Sequence, residues 1–203
     1  MKVIKESSGA VASAAALLKR GGVIICPTDT VYGFLADASN KKAVEKIYKI
    51  KNRPKSKPLS IFVKDFKMVK EVAVIDEKQA KILSEFWPGN HTFILKKSPS
   101  EAGPRMLYGV KKDSVAIRIP KHAFLQKLLK KVNRPLAQTS ANISAQEPLN
   151  SVEQIKATFG PAPSRAEGKN RLVSLIIASS KPLGGKPSEI IDLTTKKKVT
   201  LRK

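Results

Sequence analysis

The chain has 203 residues and a mass of 22.2 kDa. That length can bury a hydrophobic core without a disulfide or metal staple, and we expect one domain over residues 1–203. The single cysteine excludes a disulfide scaffold and a cysteine-rich zinc module, and it is compatible with the reducing cytoplasm, where we expect the protein to act. No apolar run approaches the roughly 18 residues of a membrane span, so we expect no membrane association.

The basic excess points to phosphorylated partners. Lys and Arg number 39 against 16 Asp and Glu, which gives a formal net charge of +23. Both halves share it, with 19 basic and 9 acidic residues in 1–100 and 20 and 7 in 101–203. A field of this sign attracts phosphates on RNA, DNA or nucleotides, whereas the alternative is a lysine-rich solvated surface.

Capping residues and apolar spacing predict three helices and three strands in the first half of the chain. The predicted elements are, in order, a helix over Ser8–Arg20 capped by Ser7 or Ser8, a strand over Val23–Cys26 ended by Pro27, a helix capped by Asn40, a strand over Leu59–Val63, a helix capped by Asp76 and a strand over Thr92–Leu95.

The second half continues the alternation. The predicted elements are a strand over Val115–Ile119, a helix over Ala123–Val132, a strand over Leu136–Thr139, a helix ending at Gly160, a loop over 161–171, and strands over Leu172–Ala178, Ile190–Leu193 and Val199–Leu201. Ser151 and Gln154 have the spacing of a capping box before the second of these helices. Mixed helices and strands predict an α/β fold, with a sheet covered by helices.

Several common catalytic motifs are absent. The sequence has no Walker A motif, no G-x-G-x-x-G and no G-x-S-x-G. His91 and His122 stand apart from any cysteine or carboxylate cluster, so we expect surface or half-buried side chains and no protein-built metal site. Cys26 ends a predicted strand and is interpreted as a small buried hydrophobe.

Five polar clusters remain at the ends of predicted strands, where open α/β sheets place their ligands. They lie at residues 27–33, 51–58, 114–120, 139–144 and 187–192, the last followed by Arg202. Each alone fits an ordinary turn or solvated surface. X-Pro bonds stiffen Arg53-Pro54 and Lys57-Pro58, so these cations lose little freedom when they bind a ligand. Together with the hydroxyl donors of the other clusters, such fixed cations indicate a phosphorylated ligand. Arg118, inside an apolar run, either points to solvent or meets a ligand carboxylate.

The ordered motifs resemble a known family. Along the chain stand P-T-D-T-V-Y-G from Pro27, K-x-R-P from Lys51, W-P-G from Trp87, R-x-P from Arg118, S-A-N-x-S from Ser140 and P-S-x-I-x-D from Pro187. This set, from about Gly21 to Arg202, resembles the YrdC-like family, whose catalytic members are threonylcarbamoyl-AMP synthases. The chain is similar to the short form (TsaC type).

The resemblance implies a twisted mixed sheet flanked by helices around a large basic cavity. It implies an L-threonylcarbamoyladenylate synthase that joins L-threonine, bicarbonate or CO2 and ATP, with Mg2+, and releases pyrophosphate. The product would serve a downstream tRNA threonylcarbamoyl-transferase complex that modifies adenosine beside the anticodon. Such chemistry needs positioning and electrostatic stabilisation, so no catalytic residue is assigned.

The resemblance also implies the ligand contacts. ATP would be bound by a set of cations and hydroxyl or amide groups: Lys51, Arg53, Lys57, Ser114, Ser140, Asn142 and Arg202. Threonine would be bound by Thr30, Arg118 and Ser188, with Arg118 facing its carboxylate.

Four sites depart from the family pattern: Phe62 replaces a histidine common in long forms, Asn90-His91 follows W-P-G, Ala145 replaces a glycine and Glu189 replaces a threonine. The Asn90 version resembles YciO-type paralogues. The alternatives to a synthase are therefore a YciO-like paralogue and a non-catalytic protein that binds tRNA or double-stranded RNA. Aromatic residues are only 5% of the chain, which disfavours base-stacking surfaces.

Overall fold

A single mixed sheet forms the centre of the structure. The computed structural model describes residues 1–99, 106–160, 172–180, 183, 185–195 and 199–202, with only the backbone of Arg202. Within these ranges eleven strands form the sheet: β1 Lys2–Lys5, β2 Val23–Cys26, β3 Gly33–Asp37, β4 Ser60–Phe62, β5 Ala73–Val74, β6 His91–Lys97, β7 Ser114–Arg118, β8 Leu136–Ser140, β9 Val173–Ala178, β10 Glu189–Asp192 and β11 Val199–Arg202.

Six helices in the described ranges flank this twisted sheet: α1 Ser8–Lys19, α2 Lys41–Lys51, α3 Phe66–Val72, α4 Glu77–Phe86, α5 Ala123–Val132 and α6 Val152–Phe159. The strand order is β1-β9-β2-β3-β8-β4-β7-β6-β10-β11, and β5 pairs with β6. Parallel and antiparallel pairs alternate irregularly, so the predicted α/β class and mixed sheet are confirmed. No helix among the described residues is long and apolar enough to cross a membrane.

Most helix starts follow the predicted caps. The Ser7 hydroxyl accepts from the Ala10 amide at 3.1 Å, and Asp76 forms a full capping box with Gln79. The capping box predicted at Ser151 is wrong in one half. Ser151 accepts from the Gln154 amide, but the Gln154 side chain accepts from Asn150, one residue earlier. The loop predicted over 161–171 lies outside the described residues.

The prediction missed β1, β3, α3 and β5. The Gly33–Asp37 strand is buried along its whole length. A fully buried strand lacks the polar–apolar alternation that marks a strand with one solvated face, so periodicity does not reveal it. This miss matters for the site, because β3 lies between β2 and β8 in the sheet centre.

Each face of the sheet has its own hydrophobic cluster. One face, with Phe34 and Ile61, packs into the larger core, to which α2 and α6 contribute. The opposite face, with Leu35, Phe62 and Leu136, packs under α1 and α5. The inward residues of α5 predicted from its spacing are all buried: Phe124, Leu125, Leu128 and Leu129.

On β8, β4 and β7, the cover from α1 and α5 reaches only the strand ends at Leu136 and Phe62. Leu136, Phe62 and Arg118 form one cross-strand row there. The next row is Gln138, Ser60 and Ala116, and all three are partly exposed. Side chains two residues apart on a strand share a face, so the polar row continues the covered one. We call this part of the face, from the Arg118 row through the Gln138 row to Ser114 and Ser140, the open floor. The candidate site lies on it.

Leu128→Ala tests the packing that closes the covered end. Leu128 is 0% exposed in the α1–α5 cluster. We expect a loss of about 2–5 kcal/mol in unfolding free energy, because a cavity forms in a packed core. Lys127→Ala, at an exposed neighbouring position, should change it by less than about 0.5 kcal/mol. Denaturant unfolding measures both. Equal effects would contradict this packing.

Candidate active site

A buried ion pair defines one end of the open floor. Arg118, at the end of β7, is 2% exposed and pairs with Asp29 through Nη2. Its Nε donates to the Gly89 carbonyl at 2.8 Å, and Nη1 lies 3.4 Å from the Thr30 hydroxyl. Arg118 therefore does not point to solvent. A guanidinium has five N–H groups, and two of those on Arg118 make no hydrogen bond to the described part of the chain.

The loop between β2 and β3 supplies Asp29 and Thr30. It leaves the sheet beside Ser140, because Cys26 pairs with Gly33 and Gly33 pairs with Ser140. It nevertheless reaches Arg118, two rows away. Asp29 is held on both oxygens, since the Lys121 amide donates to Oδ2 at 2.9 Å.

Hydroxyl groups line the same end. Thr28 donates to the Val31 carbonyl at 2.7 Å and lies 2.9 Å from the Thr30 hydroxyl. Thr30 therefore donates to Thr28 and can accept from Arg118. The buried Ser188 hydroxyl lies 3.0 Å from that of Thr92. The structure thus places Thr30 and Arg118 in contact, and Ser188 with Thr92.

A buried lysine organises the loop at the other end. Lys51, the last residue of α2, is 1% exposed. Its ammonium donates to the carbonyls of Ser140 and Asn142 and to Asn142 Oδ1. All three ammonium protons are therefore used within the protein. Burial, and then the nearby Arg53 charge, lower the pKa of Lys51 to about 7.

Asn142 is also fully engaged. Its Oδ1 accepts from Lys51 and from the Ser140 hydroxyl at 2.7 Å, while its amide donates to the carbonyls of Ile143 and Gln146. Lys51 and Asn142 thus shape the loop after β8, and the Ser140 oxygen keeps an acceptor position. The side-chain donors of Lys51 and Asn142, two of the predicted ATP contacts, are therefore all bonded within the protein.

Arg53 fastens the segment after α2. Its Nε donates to the Lys57 carbonyl at 3.1 Å and its Nη2 to the Pro58 carbonyl at 2.8 Å. Burial is the main cause that lowers the pKa of Arg53. Lys57 itself is exposed. Ser114 begins β7, four residues before Arg118, and Arg202 lies on the edge strand β11 without a described side chain.

Sequence reasoning missed four residues of this region: Asp29 as the partner of Arg118, Thr92, Ser60 and Gln138. Asp29 stood in the first polar cluster, and an arginine in an apolar run requires a carboxylate somewhere. Ser60 and Gln138 became visible only through the register of β4 and β8. Cys26 is fully buried, and burial raises the pKa of its thiol, as expected of an inert cysteine.

The departures from the family pattern have structural partners. His91 and Glu189 are register partners in β6 and β10, and their side chains lie 3.5 Å apart. Phe62 is buried beneath the Arg118 guanidinium, and Arg118 Cζ lies 5.6 Å from the centroid of the Phe62 ring. Ala145 has φ of +70°, a conformation that explains a family preference for glycine there.

The arrangement can bind and orient charged ligands. Basic and hydroxyl side chains flank the floor, whereas Cys26 is buried and His91 and His122 lie beside Glu189 and Glu6. Within the described ranges, no cluster of three or more His, Cys, Asp or Glu could hold a metal ion.

Comparisons with known proteins find similar sequences. The family model Sua5_yciO_yrdC, described as "Telomere recombination", matches residues 16–203. A protein of Bacillus subtilis named threonylcarbamoyl-AMP synthase is 37% identical over 158 residues, 77% of this chain and 41% of that protein. Another of that name from Vibrio vulnificus is 30% identical over 181 residues, 88% of this chain and 90% of that protein.

Solved structures share the fold. P. abyssi Sua5 complexed with L-threonine has a TM-score of 0.82 and 32% identity, covering 99% of this chain and 56% of that one. E. coli YciO has the same TM-score and 27% identity, covering 100% and 93%. The chain thus spans about half the length of some relatives and nearly all of others.

Asp29→Ala tests the buried ion pair. It should lower the unfolding free energy by about 3 kcal/mol, because Arg118 then keeps a buried charge without its carboxylate. In an Arg118→Met background the same change should cost less than about 1 kcal/mol, since no charge needs a partner. Denaturant unfolding of the four proteins gives the coupling. Equal costs in both backgrounds would show that the pair is not energetically coupled.

Lys51→Met tests the buried ammonium through pH. Because the pKa of Lys51 falls from 10.5 to about 7 on folding, the unfolded chain binds more protons between these values. The free energy of unfolding therefore rises with pH in this window, and the variant should lose that part of the rise. Unfolding at pH 7 and 9 measures it. Lys49→Met, exposed on the same helix, should keep the wild-type slope; an unchanged slope in Lys51→Met would contradict the lowered pKa.

Proposed function

The chain belongs to the Sua5/YciO/YrdC family, and we propose that it is an L-threonylcarbamoyladenylate synthase. The reaction joins L-threonine, bicarbonate or CO2, and ATP into threonylcarbamoyl-AMP and pyrophosphate. One observation carries the proposal: a buried arginine site and a lysine-held loop flank one open floor. Arg118 and Ser114, at opposite ends of β7, are about 13 Å apart at roughly 3.3 Å per residue, room for an amino acid joined to a nucleotide phosphate.

The end with Arg118 suits the amino acid. Two N–H groups of Arg118 remain for a carboxylate, and bidentate pairing is the geometry that arginine favours. Thr30 and Ser188 offer hydroxyl groups nearby. The L-threonine complex of P. abyssi Sua5, a relative of the same fold, supports an amino acid here.

The end with Ser140 suits ATP. Arg53, whose charge acts on Lys51, and the exposed Lys57 add cations to the segment that follows α2. Ser140 and Ser114 lie at neighbouring ends of β8 and β7, two residues beyond Gln138 and Ala116, which both pair with Ser60. Arg202 would approach from β11. Mg2+ would enter on the phosphates of ATP, because magnesium retains water and favours phosphate oxygens.

The chemistry needs no covalent enzyme intermediate. The threonine amine adds to CO2 and releases a proton, and a carbamate oxygen then displaces pyrophosphate from the α-phosphorus. Negative charge grows on phosphoryl oxygens and on the leaving group, where fixed cations stabilise it. Holding three reactants together supplies much of the remaining acceleration.

The wider role follows from the product. A reactive mixed anhydride needs a receiving enzyme, and we propose a tRNA threonylcarbamoyl-transferase complex in the cytoplasm. The net charge of +23 also allows direct contact with tRNA. The similarity to YciO supports the second candidate, a paralogue with other ligands.

The test is pyrophosphate release from Mg-ATP with threonine and bicarbonate together and with each omitted. We expect release only in the complete mixture, and a loss of at least about 100-fold in Arg118→Ala, since a buried charged contact to substrate disappears. Ser84→Ala, on the exposed side of α4, is the control and should retain wild-type activity.

Other outcomes separate the alternatives. Release that ignores threonine or bicarbonate would identify a paralogue with different substrates. Intact ATP in every mixture, together with salt-sensitive tRNA binding, would overturn the synthase and favour the RNA-binding protein.

A further inference from the structure

The open floor contains a row of polar side chains that the assigned contacts do not use. Gln138 on β8, Ser60 on β4 and Ala116 on β7 stand directly opposite one another. Gln138 and Ser60 are partly buried. This row lies between the Arg118 row and the strand ends at Ser114 and Ser140.

Neither polar side chain of this row has a protein partner. Among the residues that the structure describes, no hydrogen bond involves the Gln138 carboxamide or the Ser60 hydroxyl. By contrast, the neighbouring polar groups of Asn142, Thr28 and Arg118 are bonded within the protein. Polar groups at half-buried positions normally find partners, so this pair is available to a ligand.

A glycine makes room for the carboxamide. A Cβ atom on Gly33 would lie 2.9 Å from Gln138 Nε2 and 3.2 Å from the Thr139 carbonyl. Gly33 has no unusual backbone angle that would require glycine. The absent side chain therefore serves the position of Gln138, and the two residues should act as a unit.

The spacing identifies the ligand group. The Gln138 row lies two residues from each flanking row, about 6.6 Å at roughly 3.3 Å per residue. In the proposed reaction, the atoms between the amino-acid carboxylate and the α-phosphate are the Cα atom of the amino acid and the atoms of the carbamate. We propose that Gln138 and Ser60 bind the CO2-derived carbamate, as a subsite of the reaction; this inference rests on the proposed function.

The residue types fit that group. A carboxamide N–H and a hydroxyl can donate to carbamate oxygens while staying neutral. A further cation here would hold the carbamate as an ion pair and weaken its attack on phosphorus. Neutral donors orient the nucleophilic oxygen and leave most of its charge available.

The test compares Michaelis constants for the three substrates. Gln138→Ala should raise KM for bicarbonate about tenfold, as expected for one lost hydrogen bond to an anion, and KM for ATP by less than about twofold. Gln138→Glu should raise KM for bicarbonate further, because the introduced carboxylate repels the carbamate. Ser60→Ala should act in the same direction. Gln126→Ala, a partly buried glutamine on α5, controls for general destabilisation.

Gly33→Ala provides an independent readout. Its Cβ should displace the carboxamide and raise KM for bicarbonate in the wild-type background, with no further rise in Gln138→Ala. A purely structural role would give equal effects in both backgrounds.

The outcomes are distinct. If the wild-type chain releases no threonine- and bicarbonate-dependent pyrophosphate, the proposed function fails and this subsite fails with it. If it does and Gln138→Ala changes all three constants equally or none, the synthase stands and the carbamate subsite is overturned.

Discussion

The structure depends on the hydrogen-bond acceptors that surround two buried basic side chains. Lys51 is 1% and Arg118 2% exposed, and each is surrounded by acceptors from segments far apart in sequence. A buried charge without partners is strongly destabilising, so these contacts hold the loops against the sheet. Lys51 holds the loop after β8, and Arg118 holds the loop after β2. Both walls of the site follow from this requirement.

The sheet register then determines what lies between the walls. On β4 and β8 the cover from α1 and α5 ends at Phe62 and Leu136, and the polar row of Ser60 and Gln138 lies next to it. The floor is therefore continuous with the hydrophobic core. A site built on strands is more rigid than one built on loops alone, which suits a reaction that relies on positioning.

Three residues that depart from the family pattern lie against each other or against the buried arginine. His91 and Glu189 face each other across β6 and β10, and Phe62 packs on Arg118. Phe62 therefore belongs to the packing around a buried charge, which restricts the residues that can surround it.

The sequence alone determined the class of fold, most helix caps and the ordered motifs, because these depend on local spacing and on residues within a few positions of each other. It brought Thr30, Arg118, Ser140 and Asn142 into view as polar groups at strand ends. It did not reveal β3, whose five residues are all buried, nor the pairing of Arg118 with Asp29 across 89 positions. Only the tertiary structure showed which side-chain donors are bonded within the protein, as in Lys51 and Asn142. It also showed which have no partner among the described residues and can bind a ligand, as in Gln138. Availability depends on register between distant strands, and no local pattern carries that information.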